Sequence, residues 1–219
     1  MKKTYSEENY LKTIYHISKR ESKVNLKAIA DALENSPASV IDMLKKLQDK
    51  QLITYDKVQG AILSQTGETA ALDIIRKHRL WEVFLVEKLQ YDWAEVHDIA
   101  EQLEHIHDAQ LAKKLDDFLG NPAFDPHGDP IPASNGKMPV YASKRLSEMA
   151  INQTCKVGSV RDTSTPFLKY LKQLNLGLGA EIEVIDRLEF DNSMVIVING
   201  GEQKTVSSKM TDNILVIEA

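Results

Sequence analysis

Apolar residues recur at helical spacing through the first fifty positions. Tyr10, Leu11, Ile14, Tyr15 and Ile17 share one face, Leu26, Ile29, Ala30 and Leu33 a second, and Val40, Met43, Leu44 and Leu47 a third. Three amphipathic helices are expected. The first should open on Ser6 as N-cap, with Glu7 and Glu8 where acidic side chains favour a helix start. The second should span about residues 25–33. The third starts at Ser36-Pro37, a cap followed by the residue best tolerated at the first helical position. With the tight Glu34-Asn35 turn before the third helix, this reads as helix-turn-helix. Leu52-Ile-Thr-Tyr, the turn Asp56-Lys-Val-Gln-Gly60 and Ala61-Ile-Leu-Ser then form a hairpin, which makes the motif a winged one.

Thr66-Gly67-Glu68 begins a long helix that runs through His78 and Glu82 to about Leu89, and a further helix follows from about Trp93. Residues 120–141 hold five of the seven prolines and read as extended loop. From Asn152 the period shortens to two. Residues 180–185 alternate, Met194–Ile198 precede Asn199-Gly200-Gly201, and Ile214–Ile217 lie near the end of the chain, with one helix expected near residues 166–174. The expected fold is mainly α with a small β domain: a winged helix-turn-helix over residues 1–65, helices over 66–141 and a small β-barrel over 142–219.

The helical period also exposes a ligand stripe. His97, Glu101, Glu104 and His105 fall at i, i+4, i+7 and i+8, on one face of a helix whose neighbouring Ile99, Ala100, Leu103 and Ile106 supply an apolar stripe. Two imidazoles and two carboxylates suit a divalent first-row cation, since imidazole binds Mn, Fe and Zn while carboxylate oxygen favours harder ions. His78 and Glu82, one turn apart on the preceding helix, form a second donor pair. Singly, each of these residues is more often a solvated surface group; jointly they point to metal.

Composition narrows the classes. The single Cys155 excludes an intramolecular disulfide and thiolate-rich zinc motifs, and a buried, inert thiol is expected. There is no run of about 18 apolar residues, and Met-Lys-Lys-Thr-Tyr-Ser-Glu-Glu at the start lacks the apolar stretch of a signal peptide, so a cytoplasmic protein without a membrane partner is expected. The formal charge of −5 is unevenly spread: residues 1–60 carry 11 Lys and Arg against 8 Asp and Glu, a net +3, which leaves −8 for the rest. It is local charge that meets phosphate.

The winged helix-turn-helix, the segment His78-Arg-Leu-Trp-Glu82, the Val96-His-Asp…Glu104-His105 helix and the loop Pro126-His-Gly-Asp-Pro-Ile-Pro132 together resemble the diphtheria-toxin-repressor family of metal-dependent transcription regulators. The similarity runs from about Tyr5 to the C-terminus and is most specific between Lys77 and Pro132. The resemblance implies a cytoplasmic homodimer that binds double-stranded operator DNA when Mn²⁺ or Fe²⁺ is plentiful and represses metal-uptake genes. It also implies that residues 66–141 bind metal and dimerise, and that residues 142–219 form the SH3-like, FeoA-like domain of longer members.

Position by position, the resemblance implies a primary metal site of Asn9, Glu101, Glu104 and His105. Manganese-selective members carry Asp in place of Asn9 and Glu in place of Lys12; iron-type members carry Met at the first of these positions and Cys in place of Glu101. Asn9 offers a neutral carbonyl oxygen, and a carboxylate at 101 favours Mn²⁺, with Fe²⁺ as the alternative. A second implied site combines His78, Glu82 and His97 with Asp125 and His127, where some members have Cys-Pro-His, and with Asp162.

On the DNA side, the start of the third helix, Pro37, Ala38, Ser39 and Asp42, is placed to read the major groove. Ser36, Ser39, Lys45 and Lys46 are phosphate or base candidates, and Lys57 and Gln59 would sit at the wing tip. That helix has no Arg, so shape and phosphate contacts are expected to outweigh direct guanine readout. The competing reading is a helical metalloenzyme that uses the His/Glu cluster for hydrolytic or redox chemistry. Neither a His-Glu-x-x-His motif nor a serine nucleophile elbow accompanies the cluster. A metal-independent interaction module would leave the ligand stripe without a purpose.

Overall fold

The computed structural model describes residues 3–139 and 142–218. Val140 and Tyr141, the end of the expected loop, lie outside the described residues. Three helices open the chain: α1 (Tyr5–Arg20), α2 (Leu26–Leu33) and α3 (Pro37–Asp49). The cap of α1 is Thr4, not Ser6. Thr4 and Glu7 form a capping box, with the Glu7 N–H donating to Thr4 Oγ1 at 3.3 Å and the Thr4 N–H to Glu7 Oε2 at 3.0 Å. Ser6 has Asn9 three residues on, where the reciprocal contact needs Glu or Gln. Asn25 caps α2, and Ser36 caps α3 ahead of Pro37 as expected.

The wing is β1 (Ile53–Asp56) paired antiparallel with β2 (Gly60–Leu63). Asp56 Oδ1 accepts from the N–H groups of Val58 and Gln59 to close the turn. Gly60 completes it at φ +84°, where a Cβ would lie 2.4 Å from the Val24 carbonyl oxygen, so only glycine fits. Leu11, Ile14, Ile29, Val40, Leu44, Leu47 and Ile53 form the core beneath these elements.

Further helices follow: α4 (Gln65–Glu87), α5 (His97–Leu103), α6 (Ala109–Phe118) and, after the proline-rich stretch, α7 (Thr165–Gln173) and α8 (Ser208–Thr211). Strands β3 (Lys144–Arg145), β4 (Thr154–Val160), β5 (Glu181–Arg187), β6 (Met194–Ile198), β7 (Gln203–Val206) and β8 (Ile214–Glu218) form a sheet in the order β3-β8-β4-β5-β6-β7, every adjacent pair antiparallel. Ile182, Val184, Ile196, Ile214 and Val216, with Leu168 and Leu171 of α7, build its core. Cys155 is buried there, and burial pushes its thiol up to about 11, which leaves it an inert packing group.

By compactness the chain divides into two units. One takes in residues 1–78, 101–112 and 132–138, the other 79–100, 113–131 and 139–219, so α4 and α5 each contribute to both. Among the described residues no helix is long and apolar enough to cross a membrane.

Candidate metal centre

In the first unit, α5 ends at Leu103, and Glu104 and His105 sit in the turn just beyond it. The uninterrupted ligand helix expected from the spacing therefore stops before its last two donors. Even so, ligand atoms of Glu101, Glu104 and His105 lie within 4.8 Å of one another. Glu104 is fully buried, and its Oε2 accepts from His78 Nδ1 at 2.6 Å.

Opposite this turn α1 contributes three side chains. Glu8, 4% exposed, accepts from His105 Nδ1 at 2.6 Å and lies 3.6 Å from His107 Nδ1. In the neutral imidazole a donating Nδ1 leaves Nε2 as the lone-pair nitrogen. That Nε2 is buried 3.5 Å from Glu104 Oε1 and has no hydrogen-bond partner among the described residues; nor does the buried Oδ1 of Asn9. Two oriented acceptor atoms without donors, together with a buried carboxylate, fit a divalent cation: the set is oxygen-rich, includes one nitrogen, and its histidine is held by a second carboxylate in the way metal-ligating histidines usually are. Lys12 is the third side chain from α1. Its Nζ donates to Glu101 Oε1 and to Glu104 Oε1 and Oε2, the latter two at 2.7 and 2.9 Å.

The second unit holds a separate group, Glu82, Asp125 and His127, all buried, with ligand atoms again within 4.8 Å. His127 Nε2–H donates to the Trp93 carbonyl at 2.9 Å, and the indole stacks on the imidazole at 5.8 Å between centroids. Nδ1 is thereby turned toward Glu82, at 3.6 Å, and Asp125, at 3.9 Å. Burial alone would lower the His127 pKa, but Glu82 and Asp125 outweigh it and raise it to about 9. Burial and the neighbouring Glu82 push the Asp125 carboxyl up, against Arg79 and His127. Asp125 Oδ1 also organises the loop, accepting from the N–H groups of His127 and Asp129. His97, half exposed, has Nδ1 3.7 Å from Glu82 Oε1.

The sequence of the chain matches the profiles of three domains: the iron dependent repressor N-terminal DNA binding domain over residues 3–61, the iron dependent repressor metal binding and dimerisation domain over 64–133, and the FeoA domain over 144–218. It is 32% identical over 210 residues to the diphtheria toxin repressor of Corynebacterium efficiens, with 88% of this chain and 87% of that protein covered. Against the iron-dependent repressor IdeR of Mycobacterium leprae it is 29% identical, with 96% and 87% covered. A solved structure of a manganese-dependent transcriptional repressor in complex with manganese superposes with a TM-score of 0.89 at 32% identity, over 97% of this chain and all of the other. The chain belongs to the diphtheria-toxin-repressor family. It is a metal-dependent transcriptional repressor and not an enzyme.

For a member of this family, the DNA-facing candidates are divided. Ser36, Pro37, Ala38, Ser39, Asp42, Lys45, Lys57 and Gln59 are exposed. Ser36 Oγ accepts from the Ser39 N–H at 3.2 Å, so one hydroxyl serves as the cap, and Lys45 lies 3.8 Å from Asp42. Lys46 is half exposed, and its ammonium is 2.9 Å from the fully buried Glu7, which also accepts from Lys50 at 2.5 Å. Asp162 Oδ1 accepts from the Ser164 N–H at 2.9 Å in the turn before α7, and neither cluster described above includes it.

Glu7, Glu8 and Lys12 escaped the sequence reading as site residues. Their positions in α1 look like a favourable acidic first turn and an exposed lysine. The one available signal was Lys12 standing where manganese-selective relatives carry Glu.

Proposed function

We propose that this chain is a cytoplasmic, twofold-dimeric repressor of metal-uptake genes whose corepressor is Mn²⁺, with Fe²⁺ as the alternative. The observation that carries the metal choice is the donor set of the first cluster: Glu101, Glu104, the buried Asn9 oxygen and one imidazole nitrogen of His105, with no sulfur. Hard oxygen donors favour Mn²⁺ over softer ions. The name of the manganese-bound relative accords with this, although the curated relatives described above are named for iron or for the toxin they regulate.

A bound divalent cation supplies the positive charge that lets two carboxylates share one small volume. The chain's own residues do the rest. His78 orients Glu104, Glu8 orients His105, and Asn9 brings α1 to the same point, so closing the cluster fixes α1 against the turn after α5. Glu7 in turn ties α1 to α3 through Lys46 and Lys50, which links ligand capture to the placement of the DNA-reading helix. Binding that favours one arrangement over the other is all that a corepressor requires.

Glu82, Asp125 and His127, with His97 beside them, are read as a second metal site, and Asp162 is assigned to its turn. Residues 1–65 serve as DNA-binding domain, with Ser39, Lys45, Lys57 and Gln59 as contacts. Residues 66–141 serve for metal binding and dimerisation, and the C-terminal sheet as an SH3-like barrel. The test is an anaerobic DNA-binding titration with Mn²⁺, Fe²⁺ and Zn²⁺ on the wild type, Glu104→Ala and His105→Ala. Mn²⁺ should activate the wild type at the lowest free concentration and neither variant should respond. Full metal-dependent binding by both variants would remove the assignment.

A further inference from the structure

Lys12 is not an ordinary surface lysine. Its side chain is 12% exposed, and an ammonium has three N–H donors, all three of which are committed here: one to Glu101 Oε1 and two to the oxygens of Glu104. Those are the oxygens that the cluster would present to a cation. Glu104 has no exposed surface and also accepts from His78. Without Lys12, two neighbouring carboxylates, one of them fully buried, would lose the ammonium that bridges them, and removing one partner of a buried ion pair is strongly unfavourable.

We propose that Lys12 is a resident cation of this centre: it holds Glu101 and Glu104 in the metal-free protein and must detach from them before a divalent ion can take the same oxygens. The proposal rests on the reading of Glu101, Glu104 and His105 as the primary metal site. It adds that the switch compares two cations, one tethered and one free, and that the tethered one sets the metal concentration at which the other prevails.

The linkage is quantitative. A ligand that binds only the lysine-detached state has its affinity reduced by the fraction of molecules in that state. Three hydrogen bonds to ionised oxygens keep this fraction small, on the order of a tenth or less. A neutral side chain at position 12 abolishes the competition. A merely structural lysine would also lower metal-free stability when removed, but its loss would not tighten metal binding.

The experiment measures Mn²⁺ affinity by calorimetry, and thermal unfolding in chelator and in saturating Mn²⁺, on the full chain for wild type, Lys12→Met, Lys12→Gln, Lys12→Arg and Glu104→Ala. Lys12→Met and Lys12→Gln should bind Mn²⁺ about tenfold more tightly or better. They should melt lower in chelator, with a larger rise in melting temperature on adding Mn²⁺. Lys12→Arg, which keeps the charge, should stay close to wild type. If Lys12→Met does not fold in chelator, Lys12→Gln, which retains a hydrogen-bond donor, carries the comparison. Unchanged or weaker Mn²⁺ binding by the neutral variants, together with loss of binding in Glu104→Ala, would overturn the role of Lys12 while leaving the metal site intact. Wild-type Mn²⁺ binding by Glu104→Ala would instead overturn the site itself.

Discussion

Glu7 shows how one buried carboxylate couples chemistry to architecture. Burial would raise its pKa, but hydrogen bonds from Lys50, the Thr4 backbone and Lys46 outweigh that and hold it at about 2, below its ordinary value of 4.5. A group depressed in the folded state contributes stability that is complete above its unfolded pKa and is lost as pH falls toward the folded one. The contribution of Glu7 should therefore be full above about pH 5 and disappear between 4.5 and 2. Glu7→Gln should cost about 1 to 3 kcal/mol near neutrality, since it leaves Lys46 and Lys50 without their anion. Urea unfolding of both proteins at pH 6 and pH 3 would check this: the gap between them should narrow at the lower pH.

At the scale of elements, the loop of residues 124–130 makes the sharpest demand. Gly128 has φ +83°, and a Cβ there would stand 2.1 Å from the Gly158 carbonyl oxygen and 2.7 Å from Ser159. The Val160 N–H donates to the His127 carbonyl on the same approach of β4. Gly128→Ala should cost about 2 to 4 kcal/mol, because both the backbone conformation and the space are denied. It should also weaken metal uptake at Glu82, Asp125 and His127 before it affects the first cluster, a difference that Mn²⁺ stoichiometry would reveal.

Elements also mark the limit of what the sequence makes legible. Ser36-Pro37, the wing and the alternating strands are written in local signals, and all appear where the pattern puts them. The ends of helices are less secure: α5 closes at Leu103, where Glu104 turns to His78 of α4 and His105 and His107 to Glu8 of α1. Glu8 and Lys12 were illegible for the same reason. Their burial depends on His105, Glu101 and Glu104, about ninety residues away, and no periodicity within α1 encodes that. Glu101, Glu104 and His105 are legible as neighbours from their helical spacing, whereas only the family resemblance joins Asn9 of α1 to them.

For the whole molecule, the expectation concerns assembly. Phe118 is 64% exposed beside Phe84, which packs edge-on against Trp81, so aromatic surface is left uncovered in the segment that matches a dimerisation domain. Sedimentation should find a dimer. Phe118→Glu should weaken self-association by roughly tenfold or more, the value of one large apolar side chain withdrawn from an interface. Dimerisation unaffected by this variant would place the interface on another face.

Glu7 and Glu8 are consecutive, so they project about 100° apart around α1, one to Lys46 of α3 and its C-cap Lys50, the other to His105 and His107. Sensor and reader are thus distinguished only by helical phase. The first turn of α1 should tolerate no change in length. A residue inserted or deleted between Thr4 and Glu7 would break the capping box, and one inserted between Glu8 and Tyr10 would rotate both acids out of phase with the core face below them. The evolutionary record of this segment should then consist of replacements without indels.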